Sequence, residues 1–97
     1  MATYVTLASL TDQGIRTMKE LPRRIQNAEA AFRRLGGELK EIYLVMGAYY
    51  YVVISDLPND EAAAKVALAI GGQGNVRTQT FRAFSRAEAL KLVEDLP

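Results

Sequence analysis

Three consecutive tyrosines, Tyr49, Tyr50 and Tyr51, form the first group of side chains in this sequence that could do chemistry. A phenol donates a proton or a hydrogen bond, so the run could line a pocket for an aromatic or carbonyl ligand. Tyr4 and Tyr43 offer the same chemistry on other segments. The structural alternative for all of them is packing in a core or an interface, with the hydroxyls reaching water or a backbone carbonyl.

Charged side chains form a second group of candidates. Strand alternation places Glu41 beside Leu39 and Tyr43, where desolvation would raise its pKa toward that of a general base. Arg77 and Arg82 could bind a carboxylate or a phosphate, because arginine presents a rigid fork of donors. The structural alternative treats these residues as solvated charges on edge strands, where charges discourage further strand pairing, or as ion pairs between subunits.

The sequence contains no cysteine and no histidine. Disulfides, thiolate and imidazole metal ligands, histidine-ligated haem and Ser-His or Cys-His nucleophile pairs are therefore excluded. A metal would need an all-oxygen site, and no loop carries closely spaced carboxylates, so we expect neither a metal nor a cofactor. The candidates for catalysis are Tyr49 and Glu41, and those for ligand binding are Tyr4, Tyr43, Tyr49, Tyr50, Arg77 and Arg82.

The length and composition predict a single globular domain over residues 1–97, with 49% hydrophobic and 24% charged residues. A net charge of +1 gives no general attraction for nucleic acid or an anionic membrane. No apolar run is long enough to span a membrane, and the N-terminus lacks the pattern of a secretory signal. We therefore expect a cytoplasmic protein.

The hydrophobic pattern predicts the element order βαββαβ followed by a short C-terminal helix. The predicted strands are residues 3–9, 38–46, 49–56 and 75–84, and the predicted helices are residues 12–35, 58–70 and 85–95. Pro22 predicts a break in the first helix near Leu21, and Gly47-Ala48 predicts a tight turn between the middle strands. This order is typical of the ferredoxin-like α+β fold, a four-stranded antiparallel sheet with both main helices on one face.

The strand predicted over residues 49–56 is apolar on both faces. Alternation places Tyr51 and Val53 on one face and Val52 and Ile54 on the other. An antiparallel sheet with one face in water should instead alternate between apolar and polar residues. At about 25 cal/mol per Å² of apolar area, covering such a face is worth several kcal/mol. We therefore predict a homodimer in which the two helix-free sheet faces pack together.

Three separated segments of the chain match one family in the same order. They are LTDQG at residues 10–14, GAYYYVVISDLPNDEAAA at residues 47–64 and GNVRTQTFRAFS at residues 74–85. Together they resemble the GYD family of small bacterial and archaeal proteins. Gly47 and Tyr49 match its Gly-x-Tyr-Asp signature, whereas Tyr50 occupies the aspartate position, so no acid role is transferred to position 50. The resemblance implies a dimeric α/β-barrel architecture and no particular activity.

These observations favour a homo-oligomer that binds a small ligand or serves as an assembly module, without catalysis. The alternative is a cofactor-free oxygenase, isomerase or decarboxylase that uses Tyr49 or Glu41, which requires a substrate pocket, often between sheet and helices. A third hypothesis is RNA binding, because the RRM module shares this element order and stacks bases on strand aromatics, in this chain Tyr4 and residues 49–51. The low net charge and the absence of basic residues in GAYYYVV argue against RNA.

Overall fold

A computed structural model describes all of residues 1–97 and has the predicted element order. The strands are β1 (Ala2–Leu10), β2 (Glu38–Leu44), β3 (Tyr51–Leu57) and β4 (Val76–Ala83). The helices are α1 (Asp12–Arg16), α2 (Leu21–Arg34), α3 (Asp60–Gly71) and α4 (Arg86–Glu94), with a 3₁₀ turn at Met18–Glu20. The strands pair antiparallel in the order β2-β3-β1-β4, so the predicted ferredoxin-like α+β fold is confirmed, with β2 and β4 at the edges.

The core lies between one face of the sheet and the helices α2 and α3. Its buried members are Tyr4, Phe32, Val53, Leu57, Ala62, Ala63 and Val66. Alanines at the contact allow α3 to lie close to the sheet, and α2 contributes the bulky Phe32 beside it. We call the sheet face toward these helices the inner face and the opposite one the outer face. None of the helices combines the length and the apolar character that crossing a bilayer requires.

The break predicted in the first helical segment is confirmed. α2 begins at Leu21 with Pro22 in its first turn, where a missing backbone N–H costs no intrahelical hydrogen bond. The chain before it forms the five-residue α1 and then the 3₁₀ turn. The first turn of α2 therefore lies close to α1, a placement that orients Arg24 in the site described below.

The connection between β2 and β3 is longer than the predicted turn at Gly47-Ala48. Val45 N–H donates to the Tyr50 carbonyl at 2.7 Å, which leaves residues 46–49 as the loop. Gly47 has a φ of 127°, a conformation that a side chain disfavours. The predicted start of the strand at position 49 was therefore wrong: Tyr49 and Tyr50 precede β3, and strand alternation does not fix their direction.

A register irregularity in β2 changes which of its residues share a face. The pairing with β3 shifts between Leu39 and Glu41, which places one extra residue, Lys40, in β2. Leu39 and Ile42 consequently both pack against the core on the inner face. The alternation that grouped Leu39 with Glu41 and Tyr43 was wrong, because the bulge reverses the parity after Lys40.

The outer face carries an apolar patch on the side opposite α2 and α3. Its members come from all four strands and are Val5, Leu7, Tyr43, Val52, Ile54 and Phe81. Tyr43 is 54% exposed and Phe81 50% exposed. The prediction that β3 is apolar on both faces is therefore confirmed. Helix α4 also has no buried residue, and it exposes Leu90, Leu92 and Val93.

Candidate functional site

A cavity of about 100 Å³ lies between the inner face of the sheet and the helices α2 and α3. Most of its lining is hydrophobic, and its walls include Ile25, Phe32, Val53, Val66 and Ile70. Small residues at the helix–sheet contact, Ala8, Ala28 and Ala67, leave the space that larger side chains would fill. The fold thus provides a partly open apolar cavity beside its own core.

Two polar side chains in the cavity wall have buried atoms without a hydrogen-bond partner in the protein. Ser55 is 1% exposed, and its Oγ is unpaired. The Nε and Nη1 atoms of Arg24 are likewise buried and unpaired. Leaving a buried polar atom unpaired costs about 1–3 kcal/mol, so native proteins seldom do so without a reason. Because both residues line the cavity, these unpaired atoms lie close behind its surface.

The position of Arg24 follows from the bend before α2. Its side chain extends from the first turn of α2 toward α1, where Nη2 donates to the carbonyl of Gly14 at 3.0 Å. The same atom lies 2.5 Å from both the carbonyl and the Oγ1 of Thr17. These bonds hold one nitrogen of the guanidinium and leave Nε and Nη1 free. The bend therefore places an anchored cation in the cavity wall.

Tyr51 lies in the same wall and is 6% exposed. Its hydroxyl is 4.0 Å from the sulfur of Met18, a weak contact. Burial raises the pKa of the Tyr51 phenol above its usual value, and the positive charge of Arg24 opposes this rise only in part. At neutral pH the phenol is therefore protonated and can donate a hydrogen bond.

Tyr4 and Arg82 are the two predicted ligand-binding residues that the structure brings together. They face each other across β1 and β4 and line a shallow cleft of about 270 Å³ against α3. Both already have partners, since the Tyr4 hydroxyl donates to Oδ1 of Asp60 at 2.5 Å. Arg82 lies 4.4 Å from the ring centroid of Phe84 and 3.7 Å from the carboxylate of Glu88. Tyr4 and Arg82 are therefore engaged within the fold, whereas Nε and Nη1 of Arg24 have no partner.

The remaining predicted site residues lie away from the cavity. The Tyr49 hydroxyl donates to Oε1 of Gln79 on the outer face at 2.9 Å, and Tyr50 is 40% exposed. Tyr43 and Arg77 also belong to the outer face. Their suggested roles stay predictions, but none of these side chains lines the cavity.

Glu41 does not have the surroundings that the general-base hypothesis requires. The residue is exposed on the outer face, opposite Ile54 of β3. The hypothesis required a carboxylate shielded from water, and Glu41 is exposed instead. Glu41 and Tyr49, the two catalytic candidates, therefore both lie outside the cavity.

The RNA hypothesis needs aromatic rings on the open face of the sheet. Tyr4 is 3% exposed and Tyr51 is 6% exposed, and both point to the inner face beneath the helices. Neither can stack on a base without displacing a helix. The expected stacking platform is therefore not formed by these two residues.

The sequence interpretation missed Arg24 and Ser55, although a signal for each was present. Arg24 follows Leu21 by three positions and precedes Ala28 by four, which places it on the apolar side of α2. Ser55 alternates with Val53 and Leu57 on the inner face of β3. A polar residue inside an apolar pattern was the signal in both places. No three carboxylates lie close enough together to hold a metal ion.

Comparisons with known proteins agree with this architecture. Residues 4–93 match the family model of the GYD domain. The glutamine synthetase and cystathionine beta-lyase binding protein of Thermus thermophilus is 29% identical over 91 residues, which cover 93% of this chain and 96% of that protein. The likeness to this relative thus extends over nearly the whole length of both chains.

Solved structures show where the fold occurs elsewhere. A feast or famine regulatory protein from M. tuberculosis complexed with L-methionine has a TM-score of 0.66 and 19% identity, covering 88% of this chain and 51% of that one. This chain thus spans about half of the regulatory protein, and the likeness is one of fold. A solved protein of Thermus thermophilus has a TM-score of 0.56 and 26% identity, covering 88% of this chain and 95% of its own. With the family model matched over residues 4–93, the chain belongs to the GYD domain family.

Proposed function

We propose that this protein is a homo-oligomeric module without catalysis of its own, which binds a small ligand between its sheet and its helices. The observation that carries the proposal is the partly open apolar cavity lined by Arg24 and Ser55, two residues that have buried polar atoms without a partner. Small-molecule sites combine an apolar lining with a few polar groups that orient the ligand. The cavity has both features.

The size of the cavity limits the ligand. A volume of about 100 Å³ is smaller than the engineered cavity of about 150 Å³ that takes up benzene. The cavity is also partly open, so a ligand of roughly six or seven non-hydrogen atoms fits only if part of it extends into the opening. Nucleotides and most cofactors are too large to enter without a rearrangement of α2 or α3.

The outer face supports the homo-oligomeric part of the proposal. Tyr43 and Phe81 expose about half of their surface, and Val52 and Ile54 lie between them on β3 and extend the patch. Exposed apolar patches of this kind mark interaction sites, and a standard interface buries about 800 Å² per partner. A second copy of the same chain offers a face of the same size and character, so two outer faces can cover each other.

A fragment screen tests the ligand-binding proposal. Isotope-labelled protein is mixed with neutral, anionic and cationic fragments of six or seven non-hydrogen atoms, and amide shifts are followed by NMR. We expect hits to shift residues around Val53 and Val66 and to lose binding in an Ala67→Leu variant, because the added atoms fill the cavity. Ala64→Leu, an exposed site on the same helix, is the matched control. If no fragment shifts the cavity residues, the proposal is wrong.

The cavity also lies where the alternative, a cofactor-free enzyme, would hold its substrate. Tyr51 and Arg24 would then be the reacting groups, rather than Tyr49 or Glu41, because only the former pair lines the cavity. A phenol held protonated next to a cation could act as a proton donor to a carbonyl. Each fragment that binds is incubated with the protein to decide between the ligand-binding module and the enzyme. A ligand-binding module leaves the fragment unchanged, whereas an enzyme converts it into a product.

Binding to an enzyme is a second candidate function. It is favoured by the relative of 29% identity, which is named for binding glutamine synthetase and cystathionine beta-lyase. Both enzymes from the source organism of this chain would be immobilised, and the purified protein passed over each. Saturable binding to either enzyme supports the candidate. Binding no stronger than to immobilised albumin contradicts it.

A further inference from the structure

Arg24 is the only charged side chain in the lining of the helix–sheet cavity. The other polar residues of the lining are threonine, serine, tyrosine, glutamine or asparagine, all of them neutral. No carboxylate neutralises Arg24 from elsewhere, because the ion pairs of the molecule join Arg23 to Glu20, Lys40 to Asp56 and Arg82 to Glu88. The cavity therefore contains one positive charge and no negative charge.

The neighbouring Arg23 shows how differently the same side chain is treated on the surface. Its side chain is 67% exposed and pairs with Glu20. Arg24, one residue later, has its Nε and Nη1 buried and unpaired, while Nη2 bonds only to neutral oxygens of Gly14 and Thr17. A guanidinium in apolar surroundings is stable only with a compensating partner, and charge-assisted hydrogen bonds to a carboxylate are the strongest that its free nitrogens can make.

Resting on the proposed ligand-binding function, we infer that the cavity takes a small monoanionic carboxylate with an apolar body and discriminates against zwitterionic amino acids. The carboxylate accepts hydrogen bonds from the free nitrogens of Arg24, and the Tyr51 hydroxyl in the same wall is a further donor. The hydrocarbon part lies against Val53, Ile25 and Val66. An α-ammonium group would lose its hydration near Arg24 and find no carboxylate to pair with, so the zwitterion is disfavoured.

Three probes of nearly equal shape separate these charge states. They are 3-methylbutanoate, its neutral amide 3-methylbutanamide, and L-valine, which is the same acid with an α-ammonium group. Each is titrated into the isotope-labelled full chain at neutral pH, and both the backbone amides and the arginine Nε–H signals are followed by NMR. We expect the acid to bind at least about tenfold more tightly than the amide or L-valine and to shift the Nε–H signal of Arg24.

Two variants assign the preference to one side chain. Arg24→Gln should remove the advantage of the acid over the amide, whereas Arg23→Gln should leave it unchanged. Arg24 also connects α2 to α1, so Arg24→Gln could fail to fold, and Arg24→Lys then serves instead. Arg24→Lys should reduce the preference for the acid over the amide, because an ammonium lacks the planar set of donors. The inference is overturned if the amide or L-valine binds as well as the acid, or if none of the three binds. The fragment screen decides separately whether the cavity accepts any ligand, so the two proposals can fail independently.

Discussion

Tyr4 and Tyr51 are two buried tyrosines on the inner face that differ in what their hydroxyls contact. The Tyr4 hydroxyl donates to Asp60 at 2.5 Å, which connects β1 to the first turn of α3. The Tyr51 hydroxyl has only the weak contact with the sulfur of Met18. The first phenol is therefore bound within the fold, and the second is available to the cavity. Removing either hydroxyl should affect the protein in a different way.

Stability at alkaline pH follows from these two phenols. Burial raises the pKa of both, and for Tyr4 the hydrogen bond and the charge of Asp60 raise it further. In the unfolded chain both phenols lose their protons near pH 10, before the folded protein does. The unfolded state then binds fewer protons, so the stability that is fully present below about pH 10 is lost as the pH rises through the folded-state pKa values.

We predict that Tyr4→Phe and Tyr51→Phe each make the loss of stability above about pH 10 less steep. At neutral pH, Tyr4→Phe should also lower the free energy of unfolding by about 1 kcal/mol through the lost hydrogen bond, and Tyr51→Phe should change it little. Urea unfolding at a series of pH values measures both effects. An alkaline slope unchanged in both variants would contradict the burial of these phenols.

Site prediction at the level of single residues succeeded where a pattern was regular and failed where one residue interrupted it. Tyr4 and Tyr51 are buried, as the packing alternative expected, and alternation correctly placed Tyr51 and Val53 on one shared face. Arg24 was not among the predicted site residues. Its role depends on the bend before Pro22, which brings the first turn of α2 back toward Gly14, and no local pattern encodes that distance.

At the scale of elements, α1 is held by the loop that precedes β4. Thr11 donates its backbone N–H to the Asn75 carbonyl at 3.1 Å and its hydroxyl to the Gly74 carbonyl at 2.6 Å. Gly14 lies so close to this loop that a Cβ atom would be 2.1 Å from the Asn75 oxygen. The helix can approach the loop only because position 14 has no side chain.

We predict that Gly14→Ala lowers the free energy of unfolding by about 2 kcal/mol or more, since backbone atoms cannot yield as a flexible side chain can. The matched control is Gly71→Ala at the end of α3, where no atom lies within 4 Å of the added Cβ. That change should be neutral or stabilising by up to about 1 kcal/mol. Equal urea midpoints for the two variants would show that α1 does not pack as described.

The helices α3 and α4 have similar N-caps but different surroundings. Asn59 caps α3 by accepting from Ala62 N–H at 2.9 Å, and that helix buries Val66 against the sheet. Ser85 and Glu88 form a capping box at the start of α4, a helix without a buried residue. Equal losses of cap energy should therefore have unequal consequences for the whole protein.

We predict that Asn59→Ala lowers the free energy of global unfolding by about 1 kcal/mol, as expected for a lost cap on a packed helix. Ser85→Ala should instead speed hydrogen exchange in α4 while leaving the urea midpoint of the free subunit nearly unchanged. The measurement is made at low protein concentration, where association contributes least. A large fall in the midpoint for Ser85→Ala would mean that α4 packs on its own subunit.

Element order was predictable throughout, whereas two local deviations in the β2–β3 hairpin were not. The strand pattern continued through Tyr49 because aromatic residues favour strands, but Gly47 at positive φ opens a longer loop. The sequence also contained no sign of the bulge at Lys40. Leu39 and Ile42 are three positions apart, and regular strand alternation would place them on opposite faces. The bulge appears only in the pairing of β2 with β3, and strand propensity at Tyr49 outweighed the signal of Gly47 in the prediction.

The whole molecule is flat, with extents of 50 × 30 × 18 Å, and its sheet separates two apolar surfaces. The inner surface is covered by α2 and α3 and contains the cavity. The outer surface presents Tyr43 and Phe81 to solvent in the single chain. A pair of molecules joined through their outer faces would place two cavities on opposite sides of the assembly, so association would leave each cavity open to its own ligand.

The proposed outer-face dimer gives the last prediction. Phe81→Lys places a charge in the apolar patch and should weaken dimerisation by more than about tenfold, because a desolvated charge without a partner is costly in an interface. Leu68→Lys is the matched control, since Leu68 is 76% exposed on α3 and lies on the other side of the sheet. Both side chains are exposed in the single chain, so neither change should lower the stability of the subunit by much more than about 0.5 kcal/mol.

Light scattering after size exclusion, over a dilution series, should show monomer for Phe81→Lys at concentrations where Leu68→Lys is still dimeric. If the unsubstituted protein is itself monomeric at micromolar concentration, or if the two variants dissociate alike, the outer face is not the surface on which copies of this chain associate.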